Sequence, residues 1–74
     1  MSLSGWLAKR ISLSGRSVAE IARACGLSRA TVYSWLSGGR VPSAAARFLL
    51  MEQLGLSAAE ADDLRRLCDM AAVE

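Results

Sequence analysis

Ser17–Pro42 reads SVAEIARACGLSRATVYSWLSGGRVP. Before Gly26, the apolar residues Val18, Ile21, Ala22 and Cys25 recur at i, i+3, i+4 and i+7, which is one face of an α-helix. After it, Val32, Trp35 and Leu36 recur at i, i+3 and i+4. Between the two stripes, Gly26 stops the first helix, Ser28 caps the second, and Leu27 is left to fill the corner. Two short helices joined this tightly cannot lie antiparallel side by side, so they must cross at a steep angle.

Outward from this pair, the chain continues as helices. Toward the N-terminus, Leu3, Leu7 and Ile11, with Trp6 beside them, predict a helix over Met1–Ser14. Ser2 or Ser4 can cap its start, Gly15 ends it, and Lys9 and Arg10 face outward or sideways. Ser17-Val18-Ala19-Glu20 is a capping box that opens the next helix, which runs to about Cys25. The helix after Ser28 runs to Leu36 or Ser37, and a loop follows through Pro42. Ser43 caps a fourth helix to about Leu54, with Ala46, Leu49, Leu50 and Leu54 as its stripe, Phe48 and Met51 flanking it, and Gly55 ending it. Ser57-Ala58-Ala59-Glu60 is a second capping box and opens a fifth helix, whose apolar positions are Ala61, Leu64, Leu67, Cys68 and Ala71. Its first turns hold Glu60, Asp62 and Asp63, and Asp62 can reach Arg65 and Arg66. Residues Ala72–Glu74 are expected to fray. The expected fold is all-α, five short helices in one domain over residues 1–74, with the helix-turn-helix at 17–37. Leu7, Ile11, Ile21, Cys25, Leu27, Val32, Trp35, Leu36 and Leu50 are its expected core.

The net charge of +2 hides a division along the chain. Residues 1–51 carry Lys9, Arg10, Arg16, Arg23, Arg29, Arg40 and Arg47 against Glu20 alone. Residues 52–74 carry Arg65 and Arg66 against Glu52, Glu60, Asp62, Asp63, Asp69 and Glu74. The basic part contains the helix-turn-helix, which suits a polyanionic partner. Cys25 and Cys68 stand alone, without histidine or metal-ligand spacing, so they read as reduced, packed thiols, and neither a metal nor a cofactor is expected. Lys9-Arg10 breaks the first apolar stretch and no run reaches membrane length, so no signal peptide or membrane partner is expected.

On the third helix the outward positions are Arg29, Ala30, Tyr33 and Ser34, with Thr31 at the edge. The face is small, polar and aromatic and carries no acid, whereas an ordinary solvated helix mixes Glu with Lys. A face that enters a groove beside phosphates cannot carry carboxylates freely. In the following loop, Gly38 and Gly39 permit close backbone approach, and exposed N–H groups beside Arg40 would suit a phosphate.

With Ile21-Ala22, Gly26-Leu27-Ser28, Thr31-Val32, Trp35 and Gly38 through Pro42 in this order, Ser17–Pro42 resembles the helix-turn-helix of the Cro/phage-repressor-like (XRE-type) family of bacterial DNA-binding regulators. The resemblance implies a lambda-repressor-like fold, double-stranded DNA as partner, and a cytoplasmic, nucleoid-associated place. It also implies that the third helix lies in the major groove while the second braces against the backbone. Carried over by position, the base-contacting candidates are Arg29, Ala30, Thr31, Tyr33 and Ser34. Arg29 leads, because a guanidinium can hold guanine O6 and N7 with two hydrogen bonds. Phosphate candidates are Arg16, Ser17, Ser28, Ser37, Gly39, Arg40 and Arg47, with the N–H groups at the start of the second helix adding a positive dipole end. Arg23 is expected to be solvated.

Three departures from the family pattern stand out. Val18 stands where a phosphate-bracing glutamine is frequent. Arg16 stands where an apolar residue is usual, so Leu13 is expected to fill that space. Ile11 and Leu36 stand where many members pair an arginine with a glutamate. A paired replacement leaves no buried charge alone, and an Ile11–Leu36 contact is expected.

Catalysis finds no footing here: histidine is absent, no glycine-rich nucleotide loop occurs, and the carboxylates sit on one capped helix. Two readings follow. One is a sequence-specific DNA-binding domain of a transcriptional regulator, pairing as a homodimer through the fifth helix or the Phe48–Met51 region. The other is a protein-interaction or adaptor module on the same fold. A third-helix face open to solvent and free of acid favours the first; a face covered by the protein's own helices favours the second.

Overall fold

Each of the helices begins at a serine. In the computed structural model, which describes residues 1–73 (backbone only at Val73), these are α1 (Leu3–Leu13), α2 (Val18–Ala24), α3 (Arg29–Leu36), α4 (Ala44–Leu54) and α5 (Ala58–Val73). The hydroxyls of Ser2, Ser17, Ser28, Ser43 and Ser57 accept the N–H groups of Gly5, Glu20, Thr31, Ala46 and Glu60 at 3.1–3.2 Å. Each satisfies one of the donors that a helix start leaves open. Both capping boxes close as the sequence predicts, with Ser17 N–H donating to Glu20 Oε1 at 3.0 Å and Ser57 N–H donating to Glu60 Oε1 at 2.9 Å.

The ends are equally specified. Gly26 and Gly38 have φ of +70° and +82°. The left-handed turn at each lets its own N–H and the next one fold back onto the last helical carbonyls. Gly26 and Leu27 donate to Arg23 and Ala22 at 3.1 and 2.9 Å, and Gly38 and Gly39 donate to Trp35 and Ser34 at 3.3 and 2.9 Å. α1 also ends on a left-handed glycine, Gly15 at φ +73°, whose N–H donates to the Ser12 carbonyl at 3.2 Å. The Ser14 hydroxyl donates to the Ile11 carbonyl and accepts the Arg16 N–H, so α1 stops at Leu13 rather than at Ser14, and capping by Ser2 starts it at Leu3 rather than Met1. α5 is helical through Val73; the expected fraying at Glu74 lies outside the described residues.

The apolar stripes meet in one cluster of Leu3, Trp6, Leu7, Ile11, Ile21, Ala22, Cys25, Val32, Trp35, Ala46, Leu50, Leu64, Leu67 and Cys68. α3 packs on α2 and α1, α5 on α1 and α4, and α4 on α2. The result is an all-α helix-turn-helix fold without a strand among the described residues. Its radius of gyration of 11.0 Å is close to the value of about 11 Å that a compact chain of this length has. Leu27 and Leu36 are only half-buried and border the cluster rather than sit inside it. Ile11 is buried and Leu36 partly so, on helices that pack together. Leu13, however, is 66% exposed and does not fill the space before α2. Two residues beyond Ile11 turns about 200° around a helix, away from the stripe. The Cys25 and Cys68 thiols are buried and unbonded to each other, and desolvation raises the pKa of both.

The capping boxes make a prediction about acid. Hydrogen bonds from the N–H and then the hydroxyl of Ser17 hold Glu20 below its ordinary 4.5, and Ser57 does the same to Glu60. A depressed folded-state pKa contributes stability that is present above the ordinary value and lost as pH falls through the depressed one. The urea midpoint is therefore expected to hold down to about pH 4.5 and fall below it. In the double variant Ser17→Ala, Ser57→Ala the midpoint starts lower at pH 7, and the acid limb is shallower. An acid limb of unchanged steepness in that variant would show that the caps do not carry the effect.

Candidate nucleic-acid interface

α3 turns Val32 and Trp35 inward, and this orientation fixes what remains outside. Arg29, Ala30 and Tyr33 are exposed, Tyr33 at 55%, while Thr31 and Ser34 are half-buried. All five base-contacting candidates thus share the helix, with three of them exposed. The hydroxyls of Thr31 and Ser28 share a hydrogen bond of 2.9 Å, and the Ser34 hydroxyl donates to the Thr31 carbonyl. Ser34 therefore faces outward with acceptor capacity only. No acid lies on this helix.

The structure alters several of the expected phosphate contacts. The glycine N–H groups of the loop after α3 are not free. Gly39 and Arg40 both donate to the Ser34 carbonyl, at 2.9 and 3.1 Å, and the Ser37 hydroxyl donates to it at 3.2 Å. Closure of the α3 C-terminus uses the groups the loop was expected to offer. What remains is the exposed Arg40 side chain. The start of α2 is likewise partly satisfied, because Ser17 and Glu20 use each other's N–H groups and a carboxylate now sits there.

Arg16 is half-buried, and its Nη1 donates to both the backbone carbonyl and Oε1 of Gln53 at 3.2 Å, tying the turn before α2 to the end of α4. Arg47 is also half-buried, with Nη1 on the Pro42 carbonyl at 3.5 Å and the guanidinium beside Cys68. Both were expected on phosphates, and both have partners inside the molecule. Gln53 gave no signal in sequence, since its contact spans 37 positions. Arg10 was legible in part. Its guanidinium lies 5.2 Å from the Trp6 ring centroid, an i, i+4 stacking, and it also pairs with Glu60 across the α1–α5 seam.

Ion pairing sharpens the charge division. On α5, Asp62 is 2.9 and 2.8 Å from Arg65 and Arg66, and Asp69 is 3.1 Å from Arg65. The Arg65 hydrogen bond is the main cause of the lowered Asp62 pKa. The acidic helix thus neutralises much of itself. By contrast, among the described residues Arg23, Arg29 and Arg40 make no ion pair. Arg23 is exposed, as expected. It lines, with Arg29, an open hollow of about 420 Å³ whose other walls are Ala19, Ala22 and Leu27. No three His, Cys, Asp or Glu side chains converge as metal ligands among the described residues, and none of their helices is long and apolar enough to cross a membrane.

Residues 6–39, just under half of the chain, match the sequence model of a helix-turn-helix domain family. The matched span takes in most of α1, all of α2 and α3, and both glycines that close them. No curated protein and no solved structure matches the chain. The helix-turn-helix match supports DNA binding as the activity of this region.

Proposed function

We propose that this chain is a sequence-specific DNA-binding domain of a transcriptional regulator, of the Cro/phage-repressor-like kind, with α3 reading the major groove. The observation that carries the reading is the face of α3: Arg29, Ala30 and Tyr33 stand open to solvent, without a carboxylate and without cover from the protein's own helices. Arg29 addresses guanine O6 and N7, and Ala30 and the Tyr33 ring suit thymine methyl groups. Thr31 and Ser34 lie at the margin of the face. Ser28 and Ser37 bracket the helix, and Arg40 supplies the phosphate contact beyond it. With Arg16 and Arg47 engaged internally, one copy offers few free cations, so tight binding calls for two copies on half-sites about one helical turn apart. Phe48, 58% exposed beside the half-buried Met51 on α4, supports that surface as a pairing face, and the outer side of α5 is the other. Such a regulator acts in the cytoplasm.

A second reading, a protein-interaction module on the same fold, draws on the exposed Leu13, Phe48 and Met70. Fluorescence anisotropy with a labelled random-sequence duplex, titrated with salt, separates the two. The expected result is binding that weakens steeply, with a log–log slope of about −0.9 per phosphate neutralised. No binding at low salt would overturn the DNA reading and leave the interaction module.

A further inference from the structure

Two cations that make no ion pair among the described residues share one hollow. Arg23 leaves α2 near its C-terminal end and Arg29 opens α3, and both side chains line the space between these helices. The remaining lining is Ala19, Ala22 and Leu27, so two cations share the hollow with apolar side chains. No acid lines it; Glu20 on the same helix feels both Arg16 and Arg23 yet forms no ion pair with either, its carboxylate accepting the Ser17 N–H in the capping box. We propose that the hollow between α2 and α3 seats one phosphodiester of a DNA backbone, with Arg23 and Arg29 as its two cationic holds, an assignment that rests on the DNA-binding reading above.

The chemistry matches on three counts. Each guanidinium offers a fork of N–H donors that fits two phosphate oxygens at once. Arg29 has donors on two edges, so one edge can serve the phosphate while the other stays toward a base. The alanine and leucine walls suit the sugar carbons that flank a phosphodiester. A free inorganic phosphate has no such carbons, so the lining favours the backbone. The seat is also continuous with the α3 face, since Arg29 belongs to both. A phosphate held here would fix the register of α3 in the groove without reading sequence.

The test uses the labelled random-sequence duplex and three variants, each first checked for helical circular dichroism. Arg23→Ala removes one hold. Ala19→Leu fills the hollow without changing charge, at a half-exposed helical position that tolerates leucine. Lys9→Ala removes an exposed cation on α1 outside the hollow. Arg23→Ala is expected to reduce the salt slope by about 0.9 and to weaken binding by about tenfold at low salt, equally for all sequences. Ala19→Leu should weaken binding comparably, and Lys9→Ala less than twofold. Inorganic phosphate at matched ionic strength should not compete. If the wild type binds with a steep slope but Arg23→Ala and Ala19→Leu bind like it, the seat is overturned and the DNA reading stands. Loss with Arg23→Ala alone would mean a diffuse charge effect and would also overturn the seat. Competition by millimolar inorganic phosphate would reassign it to a free anion. If the wild type binds no duplex at all, it is the DNA reading that fails.

Discussion

Trp35→Ala should leave this domain unfolded or barely folded in water. Trp35 is 3% exposed and stands on α3 within the cluster that α1 also feeds. Truncating a buried tryptophan costs about 3–5 kcal/mol, through lost transfer energy and the cavity left behind. At about 0.05–0.15 kcal/mol per residue, a chain of this size has roughly 4–11 kcal/mol in all. The loss is thus about a quarter or more of the total and takes the lower end of that range to zero. In urea, with a slope of about 1–2 kcal/mol per molar for a small domain, the midpoint should drop by about 2 M or more. Tyr33→Ala is the internal control. It lies two residues earlier on the same helix, is 55% exposed, and should shift stability by no more than about 0.5 kcal/mol. Equal effects from the two would mean that α3 is rotated from the orientation described, and the assignment of its outward face would fall with it.

That orientation was readable before any coordinates, and the reason is local. Serine oxygens three residues before a helical N–H, and glycines where the chain turns left-handed, act within four or five residues. So do the i, i+3, i+4 stripes, which is why Leu7, Ile21, Val32, Trp35 and Leu50 fall inside as expected. Errors came where the decisive partner was distant in sequence. Leu13 was asked to fill a gap set by the packing of α2, and its own helical phase points it to solvent. Pro42 lies in the loop as expected, but its full burial against the core gave no local signal.

The same division explains the site. The residues of α3 kept their expected faces, since one helix's phase decides them. The cations did not behave alike, because a side chain as long as arginine takes whatever acceptor the tertiary fold brings near. Gln53 takes Arg16, the Pro42 carbonyl takes Arg47, and Glu60 takes Arg10. Counting charge along the sequence finds the basic half but cannot say which members remain free. The loop glycines show a further limit. Gly38 alone adopts positive φ, and the turn closes α3 on the Trp35 and Ser34 carbonyls rather than presenting the glycine N–H groups.

Arg29→Glu should abolish DNA binding while leaving the fold intact or slightly firmer. Arg29 is the first residue of α3 and is exposed, with no hydrogen bond or ion pair from its side chain among the described residues. A carboxylate in the first turn of a helix is favoured by the dipole, by about 0.3–1 kcal/mol at the surface. The urea midpoint should therefore hold or rise. At the proposed interface the same change acts three ways. It removes a two-bond contact to guanine worth about 1–3 kcal/mol, removes a phosphate hold, and places an anion against the backbone. A combined loss of about 3 kcal/mol or more is roughly a hundredfold in affinity. Stability and binding thus move apart, which no general damage to the fold would produce. Arg29→Ala then separates the two duties: a smaller ratio of selected-site to random-duplex affinity measures the base edge, and a shallower salt slope measures the phosphate. A variant carrying Glu at 29 that is folded and binds duplex like the wild type would show that α3 does not face the DNA.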